Sequence, residues 1–205
     1  MKIVFLEECV TYVSNFIIVV IQRNAKDANF ARTWDDYKLG FGDVNTKEFW
    51  LGLEKMHQLT KTRKYGVEIL LKRDDGTHTY LNYYSFVVGD ERSKYELSID
   101  GFDDRGSGLP DRFKFHNGSQ FTTMDQDNDI YSKNCATTHL AGWWYTNCYS
   151  VNLNRWNPER STIPYLDSST GDKEPQETKM TLISSNGNSK LISVKICNFI
   201  DVESV

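Results

Sequence analysis

The alternation of hydrophobic and polar residues is clearest between residues 65 and 99. Residues 65–72 alternate with a period of two, as in a β-strand that buries one face. The buried face would carry Val67, Ile69 and Leu71. Residues 74–77 read DDGT, which predicts a hairpin turn, and residues 78–88 predict its partner strand. Residues 94–99 predict a further strand, so this part of the chain should form an antiparallel sheet.

The pattern before this sheet mixes strand and helix. Residues 16–24 contain an apolar run typical of a buried strand, and residues 26–41 hold turn signals and short helical turns. Residues 45–59 predict a short helix, because apolar residues four and then three positions apart lie on one helical face. These apolar residues are Phe49, Leu53 and Met56. Together the patterns predict an α+β fold, a twisted antiparallel sheet flanked by short helices.

The pattern changes at about residue 102. Gly, Pro, Asp, Ser and Asn dominate as far as residue 177, so regular structure should be sparse there. Long irregular segments in a compact domain usually carry function. Further on, Asn186-Gly187 lies between two apolar runs at 179–183 and 190–196, which predicts a hairpin. We therefore expect one domain over 1–205, with a sheet-and-helix part over 16–101, a loop-rich part over 102–178 and a C-terminal hairpin over 179–205.

Several sequence motifs follow one another along these elements. Residues 21–23 read IQR, residues 30–43 read FARTWDDYKLGFGD, residues 48–60 read EFWLGLEKMHQLT, and residues 142–148 read GWWYTNC. In this order the motifs resemble the fibrinogen C-terminal globular domain, also called the fibrinogen-related domain, over roughly residues 16–154. The resemblance implies a recognition module rather than an enzyme. It also makes the second arm of the C-terminal hairpin a candidate for the last strand of the sheet.

The resemblance implies a calcium ion beside the acidic run DQDND at residues 125–129. Members of the family hold one calcium through two carboxylates and two main-chain carbonyls, and oxygen ligands of this kind suit that ion. By position, Asp127 and Asp129 would supply the carboxylates, and Tyr131 and Lys133 the carbonyls. The alternative is an acidic, solvent-facing turn that binds no metal.

The spacing of Asp125, Asp127 and Asp129 also matches the start of an EF-hand loop, but the later positions exclude one. Ile130 stands at position six, where that loop needs glycine, and Ala136 stands at position twelve, where it needs a bidentate glutamate. We therefore expect Asp125 to be a turn residue or to lie behind the metal ligands.

The resemblance also implies a disulfide and a ligand pocket. The family pairs the cysteines that match Cys135 and Cys148, and closing a loop of about 14 residues contributes roughly 3 kcal/mol. In its acetyl-binding members, ficolins and tachylectins among them, an apolar funnel takes the acetyl methyl group. A cis peptide before the second cysteine, here Asn147–Cys148, often donates to the acetyl oxygen. The candidate walls are Tyr149, Tyr145, Trp144 and His139, while Trp143 and Trp144 also suit the core.

Composition narrows the class of partner. The net charge of -4 comes with no basic block, which argues against nucleic acid, and no run of 18 apolar residues predicts a membrane span. No nucleophile elbow or phosphate loop is present, so we expect no enzyme. The sequon at Asn117 and a paired cysteine loop both favour secretion. Residues 1–8 do not read as a signal peptide, so we expect a start that is truncated or altered relative to the family.

The sequence departs from the family after Asn154. Arg155-Trp156 stands where the family has Gly-x-Tyr, and the tryptophan-rich block that supplies other pocket walls is missing. Cys9 and Cys197 have no clear family match, so they pair with each other, stay free or bind a partner outside this chain.

Three functions therefore remain open. We favour a secreted, calcium-dependent, lectin-like module that binds acetylated carbohydrates in innate defence. The alternatives are a receptor-binding or adhesion ligand of the angiopoietin or fibrinogen type, and a truncated copy without a working pocket. The chain has no heptad or Gly-X-Y run, so any oligomer would form through sequence outside it.

Overall fold

The computed structural model describes residues 10–14, 18–24, 29–46, 48–73, 75–155, 175, 177–184 and 192–196. Its strands are β1 (Val10–Ser14), β2 (Ile18–Asn24), β3 (Phe41–Asp43), β4 (Glu48–Trp50), β5 (Tyr65–Lys72), β6 (His78–Val88), β7 (Leu97–Asp103), β8 (Glu177–Ser184) and β9 (Ile192–Ile196). Its helices are α1 (Trp34–Leu39), α2 (Leu53–Thr62) and α3 (Cys135–His139), with 3-10 turns at Val44–Thr46, Glu91–Ser93 and Phe113–His116.

Seven strands form one antiparallel sheet in the order β3-β4-β2-β8-β5-β6-β7. The α+β prediction is therefore confirmed, and β5 and β6 have the predicted bounds. In their register, Val67 lies opposite Tyr83 and Ile69 opposite Leu81, and all four side chains are buried. One face of the hairpin thus belongs to the core, as the alternation required.

The helix predicted over residues 45–59 is wrong in its first half. A 3-10 turn and β4 occupy that half, and α2 begins at Leu53. Gly52, just before α2, has a φ of 108°, which a helix interior cannot include. β4 pairs with β3, where a Cβ on Gly42 would lie 2.1 Å from the carbonyl oxygen of Glu48. The close approach of these two strands requires glycine there.

The predicted C-terminal hairpin is also wrong. β8 lies inside the sheet between β2 and β5, where Met180 pairs with Ile69 and Leu182 with Val67. β9 pairs instead with β1 in a separate two-stranded sheet. The first arm, rather than the second, therefore joins the main sheet, where its buried Met180 and Leu182 continue the core face of β5.

The strand predicted over residues 94–99 is shifted along the chain. Lys94 and Tyr95 have φ values of 56° and 51° and belong to a turn, so β7 begins at Leu97 and runs to Asp103. Beyond β7, the described residues up to 155 contain one 3-10 turn and the short helix α3. This part of the chain is sparse in regular structure, as the sequence predicted.

A cluster of large aromatic rings joins the sheet to this loop-rich part. The Tyr37 ring lies 5.1 Å from that of Trp50 and 5.0 Å from that of Phe121. The Trp144 ring lies 5.1 Å from Phe121 and 5.9 Å from Trp50. All four side chains are fully buried, and such ring pairs stabilise by about 0.5–1.5 kcal/mol each beyond their buried area.

The hydroxyl of Tyr37 lies at the centre of this cluster and makes two buried hydrogen bonds. It donates to the carbonyl of Phe30 at 2.7 Å and accepts from the main-chain N–H of Gly142 at 2.9 Å. A Cβ on Gly142 would lie 2.6 Å from the Tyr37 ring and 2.9 Å from the Phe121 ring. The loop can therefore reach the tyrosine only because residue 142 is glycine.

His116 provides a second buried link within the loop-rich part. Its Nδ1–H donates to the carbonyl of Trp144 at 2.7 Å, and Nε2 accepts from the N–H groups of Ser150 and Val151, each at 3.3 Å. Burial lowers the pKa of His116 from 6.5 to about 4, against the opposing effect of these bonds. The folded chain thus holds this imidazole uncharged at neutral pH.

We expect Tyr37→Phe to lower the free energy of unfolding by about 1–3 kcal/mol, because it leaves the buried carbonyl of Phe30 and the buried N–H of Gly142 without a partner. Urea unfolding at pH 7 measures the change. Tyr84→Phe is the matched control, since the exposed Tyr84 hydroxyl donates to Asp103 and its loss should cost less than about 0.5 kcal/mol. Equal effects of the two changes would contradict a structural role for the Tyr37 hydroxyl.

We also expect His116 to make stability depend on pH. Its folded pKa lies below the unfolded one, so its stabilising contribution is complete above about pH 6.5 and is lost as the pH falls towards 4. The gap between the two values corresponds to roughly 3 kcal/mol. His116→Gln should therefore flatten the decline of the unfolding free energy between pH 7 and pH 4, measured by urea titration. Exposed His78 supplies the control, His78→Gln, and identical pH slopes for wild type and His116→Gln would count against this link.

Candidate functional site

Hydrogen bonds from main-chain N–H groups to aspartate side chains hold the acidic loop at residues 125–129. Asp127 Oδ1 accepts from the N–H of Asp129 at 3.2 Å. Asp129 in turn accepts from two N–H groups, those of Tyr131 and Cys135, each at 3.0 Å. These bonds fix the direction of both carboxylates and connect the loop directly to the start of α3.

The pKa of the Asp129 carboxyl is raised above its ordinary value. Burial is the main cause and the neighbouring charge of Asp127 adds to it, while the N–H groups of Cys135 and Tyr131, which donate to Asp129, act in the opposite direction. Both burial and the Asp127 charge oppose ionisation of Asp129. Tyr131 and Lys133 follow in an exposed turn. Across the described residues, no group of three or more His, Cys, Asp or Glu side chains could hold a metal. A cation at this loop would therefore rely on two carboxylates and on carbonyl oxygens. Oxygen donors of this kind are the ones that calcium takes.

Asp125 is used differently from its two neighbours. Its carboxylate accepts from the N–H of Trp34 at 2.9 and 3.2 Å, and from the hydroxyl of Thr123 at 2.7 Å. Trp34 is the first residue of α1, so Asp125 satisfies a free N–H at a helix start, where negative charge is favourable. The carboxylate thus anchors the acidic loop to α1, in line with its exclusion from the ligand set.

The predicted disulfide is present. Cys135, the first residue of α3, is bonded to Cys148, with Cα atoms 5.4 Å apart. Because Asp129 accepts from the N–H of Cys135, this bond connects the acidic loop to the segment around Cys148. The two halves of the predicted site are thereby held side by side. Cys9 and Cys197 lie outside the described residues.

Two of the predicted pocket walls lie in the interior. Trp144 is completely buried, and its indole N–H donates to the carbonyl of Tyr95 at 2.8 Å, so its assignment as a wall is wrong. Tyr145 is 1% exposed, and its hydroxyl donates to Ala141 at 2.8 Å and accepts from Asn152 at 2.7 Å. Tyr145 therefore lies beneath the surface as a support. Its ring lies 6.1 Å from His139 and 6.4 Å from Tyr149.

The remaining candidates form a half-buried cluster of three side chains, His139, Tyr149 and Arg155. The rings of His139 and Tyr149 meet edge to face at 4.8 Å, and the Arg155 guanidinium donates to the Tyr149 hydroxyl at 2.6 Å. Burial first, and the charge of Arg155 second, lower the pKa of His139 to about 4, so the imidazole is uncharged at neutral pH. Arg155 was missed as a site residue, although its position directly after Asn154, where the family motif ends, was the available signal.

The segment before Cys148 differs from the expected geometry. The described residues contain no cis peptide, so the Asn147–Cys148 bond is trans. Cys148 instead has a left-handed φ of 55°, and its carbonyl accepts from the N–H of Thr146 at 3.1 Å. This tight turn leaves Asn147 exposed beside the disulfide. The cis expectation is therefore wrong, and the left-handed residue makes the sharp turn instead.

The sequon residue Asn117 lies at a separate surface. Its side chain is exposed, and its carbonyl oxygen accepts from the N–H of Ile99 at 2.8 Å, whereas Ser119 is buried. Glycosylation at Asn117 stays a prediction. Among the helices that the structure describes, none has both the length and the apolar character needed to cross a membrane.

Comparisons with known proteins agree with this fold. Human microfibril-associated glycoprotein 4 is 38% identical over 144 residues, which is 68% of this chain and 55% of that protein. Fibrinogen-like protein A of Apostichopus parvimensis is 40% identical over 141 residues, 67% of this chain and 49% of its own length. Tenascin of Gallus gallus is 39% identical over 66% of this chain but only 7% of its own length. The chain thus spans about half or less of these relatives.

Solved structures show the same likeness. The fibrinogen-like globe domain of human ANGPTL2 has a TM-score of 0.74 at 27% identity, over 87% of this chain and 94% of that one. A lamprey fibrin D-dimer, complexed with the peptide Gly-His-Arg-Pro-amide, has a TM-score of 0.72 at 27% identity, over 88% of this chain and 65% of that one. The family described as fibrinogen beta and gamma chains, C-terminal globular domain, matches residues 9–163, well over half of the sequence. The chain therefore belongs to the fibrinogen C-terminal globular domain family.

Proposed function

We propose that this chain is an extracellular, non-enzymatic recognition module that binds an acetylated saccharide beside a calcium ion. The observation that carries the proposal is the direct connection between two surfaces. The Asp129 carboxylate accepts from the N–H of Cys135, and Cys135 is bonded to Cys148, next to the cluster of His139, Tyr149 and Arg155. A cation that orders the first surface would therefore also order the second.

The cluster offers chemistry suited to an acetyl group. The uncharged ring of His139 and the ring of Tyr149 present apolar surface for the methyl group, and both are half-buried. The exposed turn at Asn147 lies beside them and offers polar atoms for the acetyl oxygen. Arg155, which bonds to Tyr149, adds a positive charge at the edge of the cluster. Tyr145 supports these rings from below and is not itself a contact surface.

Calcium would have a structural role at this site. We assign the carboxylates of Asp127 and Asp129 and the carbonyls of Tyr131 and Lys133 as its ligands. A bound divalent cation would neutralise the two carboxylates and hold the loop that ends at Cys135. The chain's own residues then position the saccharide. No bond-making step is part of the proposal.

An extracellular location is part of the same proposal. The disulfide between Cys135 and Cys148 suits an oxidising compartment, and one relative is named a glycoprotein. We further propose a role in innate defence, which the lectin-like members of the family suggest.

A specific observation favours a protein partner as the second candidate. Ile130, within the acidic loop, is 81% exposed, and Leu140, directly after α3, is 63% exposed. Large exposed apolar side chains often belong to protein interaction surfaces. The similar lamprey structure holds a peptide ligand. A receptor-binding or adhesion role would use these residues rather than the His139 cluster. The third candidate is a copy without a working pocket. The segment that bears on it, residues 156–174, lies outside the described residues.

We expect Asp127→Asn to weaken calcium binding at least tenfold, because it removes one of two ligand charges while keeping the side-chain shape. Isothermal titration of the calcium-free protein measures the dissociation constant. Asp100→Asn removes an equally exposed charge on β7 and should leave that constant unchanged. If the two variants bind calcium with the same affinity as wild type, the metal assignment fails.

Retention on an N-acetylated resin tests the ligand assignment. We expect retention in calcium, release by chelator and displacement by free N-acetylglucosamine. Tyr149→Ala should abolish retention while the calcium dissociation constant stays within twofold of wild type, because Tyr149 forms the ligand surface and no metal ligand. Tyr84→Ala, which removes an exposed tyrosine on β6, is the control and should be retained. Calcium binding without any retention would overturn the acetyl ligand in favour of a protein partner or a copy without a pocket.

A further inference from the structure

A surface cavity opens at the start of β6. Neither the acidic loop nor the His139 cluster contributes to its walls. Its volume is about 690 Å³, and it lies between the end of β5, the beginning of β6 and the loop that follows β7. The side chains that matter for its chemistry are Arg73, Arg105, Thr79, Ser107, His78 and Tyr80. We call it the two-arginine cavity.

Both arginines are held in place by side chains of β6. The Arg73 guanidinium donates to the hydroxyl of Thr79 at 3.0 Å. Arg105 donates to the amide oxygen of Asn82 at 3.1 Å, in the amide orientation that also lets Asn82 donate to the carbonyl of Leu81 at 3.1 Å. Asn82 is only 4% exposed, so it fixes Arg105 from within the sheet. Guanidinium groups positioned in this way lose less freedom when a ligand binds.

The loop that carries Arg105, like the acidic loop, is held by hydrogen bonds from its own main-chain N–H groups to its own carboxylates. Arg105 has a left-handed φ of 54°, and its N–H donates to Asp103 at 2.9 Å. The Asp104 carboxylate accepts from the N–H groups of Gly106 at 2.9 Å and Gly108 at 2.8 Å. These two carboxylates thereby stabilise the loop from within, and neither lines the cavity.

The lining therefore offers two guanidinium groups and several hydroxyl groups next to aromatic rings. Among the described residues that line the cavity none is acidic, whereas two are arginines. Thr79 and Ser107 add hydroxyl groups. The rings of His78 and Tyr80 meet edge to face at 5.5 Å, and Tyr80 is 39% exposed. Each arginine guanidinium can bind a carboxylate or similar oxyanion, the hydroxyl groups can donate and accept hydrogen bonds, and the tyrosine ring offers apolar surface.

We propose that the two-arginine cavity binds a short anionic saccharide, one that carries sulfate or carboxylate groups, and that it does so without calcium. The exposed Tyr80 ring and the hydroxyl groups favour a saccharide over an acidic peptide, which would need mainly the charges. The site shares no residue with the calcium loop or the His139 cluster. The full chain would then hold two independent sites, and chelation separates them experimentally.

The test is an isothermal calorimetric titration with a heparin-derived tetrasaccharide in the presence of chelator. We expect saturable binding by wild type. Arg105→Gln and Arg73→Gln should each raise the dissociation constant about ten- to hundredfold, the loss expected for one charge-assisted hydrogen bond. Arg92→Gln is the matched control, since Arg92 is exposed in the turn beyond the other end of β6, and its constant should stay within twofold of wild type.

Three further measurements make the result decisive. Tyr80→Ala, which leaves both arginines in place, should weaken binding at least threefold, so the proposal does not depend on the folding of the arginine variants. In spectra of ¹⁵N-labelled protein, the tetrasaccharide should shift the amide signals of Gly106 and Ser107 and leave that of Gly142 unchanged. A hexaglutamate peptide and a desulfated, carboxyl-reduced tetrasaccharide should both bind at least tenfold more weakly.

Four outcomes would overturn the proposal. They are the absence of saturable binding by wild type, an equal loss in Arg92→Gln and Arg105→Gln, a strict requirement for calcium, and binding of hexaglutamate as tight as that of the tetrasaccharide. The last would assign the cavity to an acidic peptide. A strict requirement for calcium would assign the tetrasaccharide to the calcium-dependent site. The other outcomes do not bear on the acetyl site, whose test uses calcium and Tyr149.

Discussion

The contact between Tyr37 and Gly142 is the constraint on which the rest of the structure depends. One buried hydroxyl joins a carbonyl before α1 to an N–H in the loop-rich part, and the ring lies so close to Gly142 that no side chain fits there. Because the loop-rich part has little regular structure, it cannot position itself. It takes its position from the aromatic cluster, so Trp144 is a core residue, and the residues that follow it reach the surface in a fixed direction.

The candidate site is built as an extension of that core. Asp125 anchors the acidic loop at the start of α1, Asp129 connects it to α3, and the disulfide connects α3 to Cys148. Each link is a short contact. Each joins segments that are far apart in sequence or that lack helix and strand structure of their own. The rigidity needed for recognition therefore comes from a few specific bonds rather than from a helix or strand beneath the site. Half-buried side chains such as Tyr149 could therefore be replaced while this frame stays unchanged.

The sequence predicted the parts of the fold that local pattern determines. β5 and β6 were found because Val67, Ile69 and Leu71 alternate in a strand that buries one face. β4 was mistaken for helix because Phe49 fits the helical spacing. The positive φ of Gly52 prevents a helix from running through this position, but it leaves no trace in the hydrophobic periodicity of the sequence. The disulfide was predicted from motif resemblance, and so were the carboxylates of the proposed calcium site. The contact of Arg155 with Tyr149 and the burial of Tyr145 could not be predicted, since both arise only after the loop packs on the core.

The position of β8 sets the order in which this sheet can be completed. β2 and β5 both pair with β8, which lies near the end of the chain. A ribosome delivers β2 and β5 first, so the sheet exists as two separate halves with open facing edges until residue 184 emerges. The halves can therefore join only after residue 184 has been synthesised. During that interval the edges of β2 and β5 are templates for foreign strands, and a chain that ends before residue 177 lacks the strand that unites the sheet, not merely a terminal tail.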